Sequence, residues 1–151
     1  MAGMSSYLQN KLVDHIFRGT SYTAPSQIYA GLLSANPAND AATGTEVTGT
    51  DYARATPGAN SQANWIATQD TPGDTGSAAA SSATTGRTAN GAEIDFGTVG
   101  SGGWDSATGV ALYDASTGGN MLFWVALGST QSLPEGATVS YAAGDLTITL
   151  D

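Results

Sequence analysis

The chain of 151 residues contains no cysteine and only four basic residues, Lys11, Arg18, Arg54 and Arg87. Without cysteine it can form neither disulfides nor thiolate metal sites. Thirteen acidic residues give a formal net charge of −9, which argues against a nucleic-acid face because phosphate binding requires clustered positive charge. No window approaches the roughly 20 apolar residues of a membrane span, and no signal peptide is visible. We therefore expect a soluble protein, made in a cytoplasm, that binds neither nucleic acid nor membrane.

Most catalytic constellations are also missing. His15 is the single histidine, so a two-histidine zinc motif is impossible, and it lies in a predicted helix where a packing or surface role is the simpler interpretation. The sequence has no Gly-x-Ser-x-Gly elbow and no Gly-rich phosphate loop. A calcium site or a glycosidase carboxylate pair would have to come from loop aspartates, of which the candidates are Asp70, Asp74, Asp105 and Asp114. We predict no enzyme, no cofactor and no metal.

The three tryptophans allow a second interpretation. Trp65, Trp104 and Trp124 are placed in or beside strand-like segments, where aromatic residues usually belong to the core or to an interface. The alternative is a platform on which a sugar ring would stack.

Glycine is abundant, with 20 residues, and glycines separate many of the short apolar runs. The clearest case is a hairpin: Val110 to Tyr113 and Met121 to Leu127 flank the turn-rich loop from Asp114 to Asn120. In the second run both alternate sets are apolar, with Met121, Phe123, Val125 and Leu127 on one side and Leu122, Trp124 and Ala126 on the other. Such a strand is covered on both faces, so we place this hairpin in the middle of the core.

One helix is predicted, from about residue 6 to residue 18. Ser6 and Gln9 fit a capping box, and Gly19 fits a left-handed cap behind Arg18. The apolar residues recur at helical spacing and form a stripe that should turn toward a protein surface: Leu8, Leu12, Val13, Ile16 and Phe17.

Further strands are predicted at Ser26–Ser34 and at Glu93–Gly97. Between them, Glu46–Thr56 predicts a short strand, a turn at Gly49 and another strand around Tyr52–Ala55. Two more follow near the end, at Ala137–Ala142 and Leu146–Leu150, and Asn64–Thr68 is a weaker candidate. Residues 69–91 are built from small polar residues and predict a low-complexity segment, either a loop excursion or a segment that becomes ordered against a partner. The whole chain, 1–151, therefore predicts a single mainly β domain: an antiparallel, jelly-roll-like β-sandwich with one N-terminal α-helix.

Three stretches resemble a family of small tailed-bacteriophage virion proteins, which are usually labelled tail-fibre or minor structural proteins. The first is a helix of the form S-x-Y-L-x-N-x-L-x-D-H-x-x-x-G, matched by Ser5, Tyr7, Leu8, Asn10, Leu12, Asp14, His15 and Gly19. The others are GTEVTGTDYAR, from Gly44 to Arg54, and GVALYDASTGGNMLFWVAL continuing to YAAGDLTITLD. The region from Ala55 to Asn90 departs from the pattern. The resemblance implies a virion location and brings no catalytic residues with it.

With this resemblance we expect a non-enzymatic virion protein whose partners are the major capsid protein or tail proteins. A capsid decoration or cement protein on the outside of the head suits a small, acidic β domain. The alternative is a tail-fibre or tail-tip adaptor component, although 151 residues leave no room for a long shaft. We expect a homo-oligomer, and the interface candidates are Leu8, Leu12, Ile16, Phe17 and Arg54. For Arg54 a clamp on a carboxylate or backbone within the fold is the competing interpretation.

Overall fold

The computed structural model describes residues 2–71, 77 and 79–150. Within these residues the chain forms one helix, α1 (Ser6–Phe17), and nine strands. The strands are β1 (Ala2–Met4), β2 (Tyr29–Ala35), β3 (Thr45–Glu46), β4 (Arg87–Ala89), β5 (Ile94–Thr98), β6 (Trp104–Tyr113), β7 (Met121–Leu133), β8 (Thr138–Tyr141) and β9 (Thr147–Thr149). The predicted mainly β, antiparallel sandwich with a single N-terminal helix is confirmed.

The predicted hairpin lies at the centre of the larger layer. Five strands form one antiparallel sheet in the order β1-β7-β6-β2-β3, so that β6 and β7 each have a neighbour on both sides. In this register Leu112 lies between Ala30 and Phe123, and Val110 lies between Leu32 and Val125. These side chains share one face, because alternate residues of a strand point the same way.

The second layer consists of two short ladders, β4–β9 and β5–β8. Their apolar residues pack against the core face of the five-stranded sheet, and the resulting cluster includes Ile94, Phe96, Leu146, Leu32 and Val110. A smaller cluster lies on the opposite face of the sheet and contains Leu33, Ala111, Tyr113, Met121 and Trp124. Both faces of the central hairpin are therefore covered, as its double apolar pattern predicts.

One detail of that pattern is wrong, because it placed Met121 on the same side of the strand as Phe123. Met121 packs with Trp124 rather than with Phe123. A register shift between Leu112 and Tyr113 pairs Leu112 with Phe123 but Tyr113 with Met121, which leaves Leu122 as an extra residue. An inserted residue turns the side chains beyond it to the other face.

Four further predictions differ from the structure. Tyr52–Ala55 and Asn64–Thr68 form no strand and contribute only the isolated bridges Ala30–Ala55 and Trp65–Asn90, since neither segment has a continuous partner edge. Strand β1 was not predicted, because three residues carry no readable period. The predicted loop 69–91 contains β4, where Ala89 is fully buried opposite Thr147. Residues 72–76 and 78 of that loop, including the calcium candidate Asp74, lie outside the described residues.

Asn90 joins the two ladders of the second layer. Its side chain is completely buried; Nδ2 donates to the carbonyls of Ala92 and Ala142 at 2.9 and 2.8 Å, and Oδ1 accepts from Leu146 N–H at 2.9 Å. These bonds tie the chain between β4 and β5 to the turn between β8 and β9.

Candidate functional site

The first turn of α1 is fixed to the sheet. The helix is capped by Ser5, whose Oγ accepts from Leu8 N–H at 3.3 Å and donates to the carbonyl of Met121. The predicted capping box at Ser6 is therefore wrong by one residue. Gln9 instead donates to the Met4 carbonyl at 3.0 Å, and Leu8 is the one helix residue that is fully buried. Leu8 thus packs inside its own domain.

The last turns of α1 carry apolar side chains into solvent. Val13, Ile16 and Phe17 are 49, 66 and 78% exposed, while Leu12 is half-buried. The helix ends at Phe17, and Gly19, two residues further on, has a φ of +69° as predicted for a left-handed cap. We call Val13, Ile16 and Phe17 the α1 patch. The apolar stripe is therefore split between contact with the sheet at Leu8 and an open surface at the end of the helix.

The α1 patch is separated from the charges of the helix. Residues three or four apart share a helix face, so Val13 lies with Ile16 and Phe17. Lys11, Asp14 and Arg18 lie together on the opposite side, where Arg18 Nε is 2.9 Å from the Asp14 carboxylate. The patch is consequently an uncharged apolar surface, the kind that marks protein contacts on soluble domains.

Arg54 is placed inside the fold. Its side chain is only 8% exposed, and Nε and Nη2 donate to the Glu46 carboxylate at 3.0 and 2.9 Å. Nη1 donates to the carbonyls of Ala115 and Gly118, both at 2.8 Å. The guanidinium also lies 3.4 Å from the ring centre of Tyr113. The structure thus places Arg54 as a clamp between β3 and the loop that joins β6 to β7.

The clamp is built into the edge of the sheet. An added Cβ on Gly31 would lie 2.8 Å from Glu46 Oε1 and 2.9 Å from Tyr113 Cε2, so glycine leaves the space that these two side chains occupy. Tyr52 donates to Glu46 Oε1 at 3.0 Å and accepts from Leu32 N–H at 2.8 Å. Burial and then the Glu46 charge raise the pKa of Tyr52 above its ordinary value of 10.0, and the same two causes raise that of Tyr113. Every strong donor of Arg54 has an internal partner.

The sequence of the chain matches the model of a known protein family. The family model described as "Podophage GP4 fiber I protein gp80" matches residues 3–149, nearly the whole chain. The chain belongs to this podophage fibre family. No curated protein gives a significant match. As a member of a family of virion structural proteins, it is located in the phage particle, and the predicted virion family is confirmed.

The histidine and two of the loop aspartates that could carry chemistry have hydrogen-bond partners within this fibre-family chain. His15 is exposed, and its Nδ1 accepts from Tyr22 N–H at 3.3 Å. Across the described ranges no group of three potential metal ligands comes together. Of the loop aspartates, Asp105 accepts two bonds from Thr48, which lower its pKa, and Asp114 closes its own loop by accepting from Asn120 N–H at 2.7 Å.

The tryptophans of this fibre-family chain do not meet. Trp104 and Trp124 are both buried, but they belong to the clusters on opposite faces of the sheet. Trp65 is half-buried beside the first of these clusters. The predicted core role holds for Trp104 and Trp124, and a shared sugar-stacking platform is wrong. In the part of the chain that the structure describes, no helix has the length and apolar character needed to cross a bilayer.

Proposed function

We propose that the protein is a non-enzymatic structural subunit of the tail-fibre apparatus of a podophage-like virion. It attaches to a neighbouring virion subunit through the α1 patch. Two observations together carry this proposal. The fibre-family model matches residues 3–149, and α1 ends in exposed apolar side chains on a domain whose other large apolar side chains are mostly buried. A tail role was the alternative to capsid decoration in the sequence analysis. It fits the family description better than capsid decoration does.

The α1 patch supports attachment rather than core packing. Val13, Ile16 and Phe17 offer on the order of 350 Å² of apolar surface, less than half of the roughly 800 Å² that each partner gives a stable interface. Such a contact is weak alone, but it is strengthened when many copies are held in one particle, because linked contacts raise the effective concentration. A virion subunit meets that condition.

The proposed role assigns no chemistry to Arg54 or His15. Arg54, whose side chain is only 8% exposed, has its donors bonded to Glu46 and to two loop carbonyls. The single histidine has an exposed position and a backbone donor as its partner.

Location in the particle tests the proposal. Gold-labelled antibody against the purified protein should bind the tail of intact virions, and quantitative mass spectrometry should find tens of copies per particle. Label over the head together with hundreds of copies would instead identify a capsid decoration protein and refute the tail assignment.

A variant tests the attachment surface. Phe17→Ser should fold, since this side chain is 78% exposed, but it should be depleted from virions by at least tenfold. Phe17→Leu keeps an apolar side chain and serves as the matched control. Equal incorporation of Phe17→Ser and the wild type would show that the α1 patch does not attach the protein.

A further inference from the structure

Asn90 and Gly91 form the only Asn-Gly dipeptide in the sequence. In such a pair the amide nitrogen of the glycine can attack the side-chain carbonyl carbon of the asparagine. The new C–N bond closes a five-membered succinimide ring, and the side-chain nitrogen leaves as ammonia with the proton of the glycine amide. Water then opens the ring at one of its two carbonyls, which restores the N–H and gives aspartate or isoaspartate. Glycine favours the attack because it has no Cβ to hinder it.

The fold requires both members of this pair, for separate reasons. Asn90 makes the three side-chain hydrogen bonds that tie the two ladders of the second layer together. At Gly91 an added Cβ would lie 2.5 Å from the Ala63 carbonyl oxygen, a backbone atom that cannot give way as a flexible side chain can. The domain therefore carries a chemically reactive pair at this joint that it cannot exchange without losing contacts.

The contacts of the folded domain block the reaction. Ring closure requires the Asn90 side chain and the Asn90–Gly91 peptide plane to turn toward each other. The plane is held at both edges, because the Asn90 carbonyl accepts from Gly144 N–H at 2.7 Å and Gly91 N–H donates to the Asn64 carbonyl at 2.8 Å. The side chain is held by its own three bonds, and Asn90 has no solvent exposure. The reaction must therefore wait until this joint opens.

The product does not fit the position that the amide occupies. Of the three groups that bond the Asn90 amide, only Leu146 N–H is a donor; the Ala92 and Ala142 carbonyls are acceptors. A carboxylate would turn an oxygen toward these two carbonyl oxygens and be buried without a positive partner there, which is strongly unfavourable. The Asp145 carboxylate, which accepts from Ala142 N–H at 3.0 Å, adds a second negative charge nearby. Isoaspartate would in addition lengthen the backbone by one carbon.

We propose that Asn90–Gly91 is a modification site that is closed in the folded domain and is exposed to reaction when the joint between the two ladders opens. Water is the one reagent, and no enzyme is needed. A chain that stays open at this joint loses ammonia and cannot return to the fold, so unfolding becomes irreversible. The pair thereby removes unfolded copies from those that enter particles. This inference does not depend on where in the particle the protein lies.

The rate of deamidation in folded and unfolded protein is the first test. Wild-type protein is incubated in one mildly alkaline buffer with and without guanidinium chloride, and peptide mass spectrometry follows each asparagine. Asn90 should deamidate at least about 100-fold faster in the unfolded chain, because reaction in the folded protein requires opening. Asn60, which is exposed and precedes Ser61, is the internal control, and its two rates should differ by less than roughly tenfold. Equal rates at Asn90 in the two states would overturn the inference.

The role of Gly91 is measured in the unfolded chain, where the variant need not fold. In guanidinium chloride Gly91→Ala should slow deamidation of Asn90 at least roughly tenfold, because a Cβ now hinders ring closure. An unchanged rate would show that the pair is not the reactive unit.

Refolding tests the consequence. After partial deamidation in denaturant and dilution into buffer, the refolded fraction should contain unmodified Asn90, and chains deamidated at Asn90 should remain unfolded. Asn90→Asp places the product in the chain directly and should fail to refold. Asn60→Asp adds the same charge at an exposed position and should refold as the wild type does. An Asn90→Asp protein with the wild-type urea midpoint would refute the irreversible step.

Discussion

Asn90→Ala should be among the most destabilising single substitutions in this domain. The amide makes three hydrogen bonds from a position with no solvent exposure. The substitution leaves Leu146 N–H and the Ala92 carbonyl without their side-chain partner, whereas the Ala142 carbonyl keeps its bond from Asp145 N–H. The buried Leu146 N–H, left unsatisfied, costs about 1–3 kcal/mol. Each of the two bonds to the partly buried carbonyls of Ala92 and Ala142 contributes about 1 kcal/mol. We expect the free energy of unfolding to fall by about 3–5 kcal/mol.

Urea unfolding followed by tryptophan fluorescence measures this loss. With a slope of about 2 kcal/mol per molar urea for a domain of this size, the midpoint should fall by roughly 2 M. Asn60→Ala is the matched control, because the exposed Asn60 amide makes a single bond to the Pro25 carbonyl at 3.2 Å, and it should shift the midpoint by a few tenths molar at most. If the two variants unfold at similar urea concentrations, Asn90 does not join the two ladders in the way described.

Three other changes test the remaining framework. Arg54→Lys cannot reproduce the paired bonds to Glu46 together with those to the loop. It should lower the free energy of unfolding by about 2–4 kcal/mol and speed amide hydrogen exchange in residues 114–120. Unchanged exchange would show that the clamp does not order the loop. Gly109→Ala would place a methyl group against Asn36 Oδ1 and 2.9 Å from the Val125 carbonyl oxygen. Calorimetry should therefore show a lower melting temperature, equivalent to a loss of about 1–3 kcal/mol of stability. An unchanged melting temperature would contradict the close approach. Since the pKa of Tyr113 is raised on folding, its contribution to stability is present below pH 10 and is lost as pH rises further. In Tyr113→Phe the free energy of unfolding should therefore fall less steeply above pH 10 than in the wild type. An identical dependence of stability on pH in the two proteins would refute this assignment.

Local patterns were sufficient for the helix and the central hairpin. The helical spacing of apolar residues and Gly19 define α1 within a residue of its observed end. The turn-rich loop between two apolar runs locates the hairpin, although β6 and β7 extend beyond those runs to Trp104 and Leu133. These features depend on neighbours within about seven residues, so a short window of sequence contains their cause. The double apolar pattern of β7 also predicts that both of its faces are covered, and both are.

Partners distant in the chain were decided only by the tertiary structure. The sequence marks Arg54 as unexplained, but its bonds reach 61 and 64 residues ahead, to Ala115 and Gly118. Asn90 carries no sequence signal, because an asparagine in a polar segment resembles a loop residue until its three partners are known. The stripe on α1 shows which residues are apolar, but only the position of the sheet determines that Leu8 is buried and Phe17 is exposed. Burial depends on what lies opposite a side chain, and that surface comes from residues far away in the sequence.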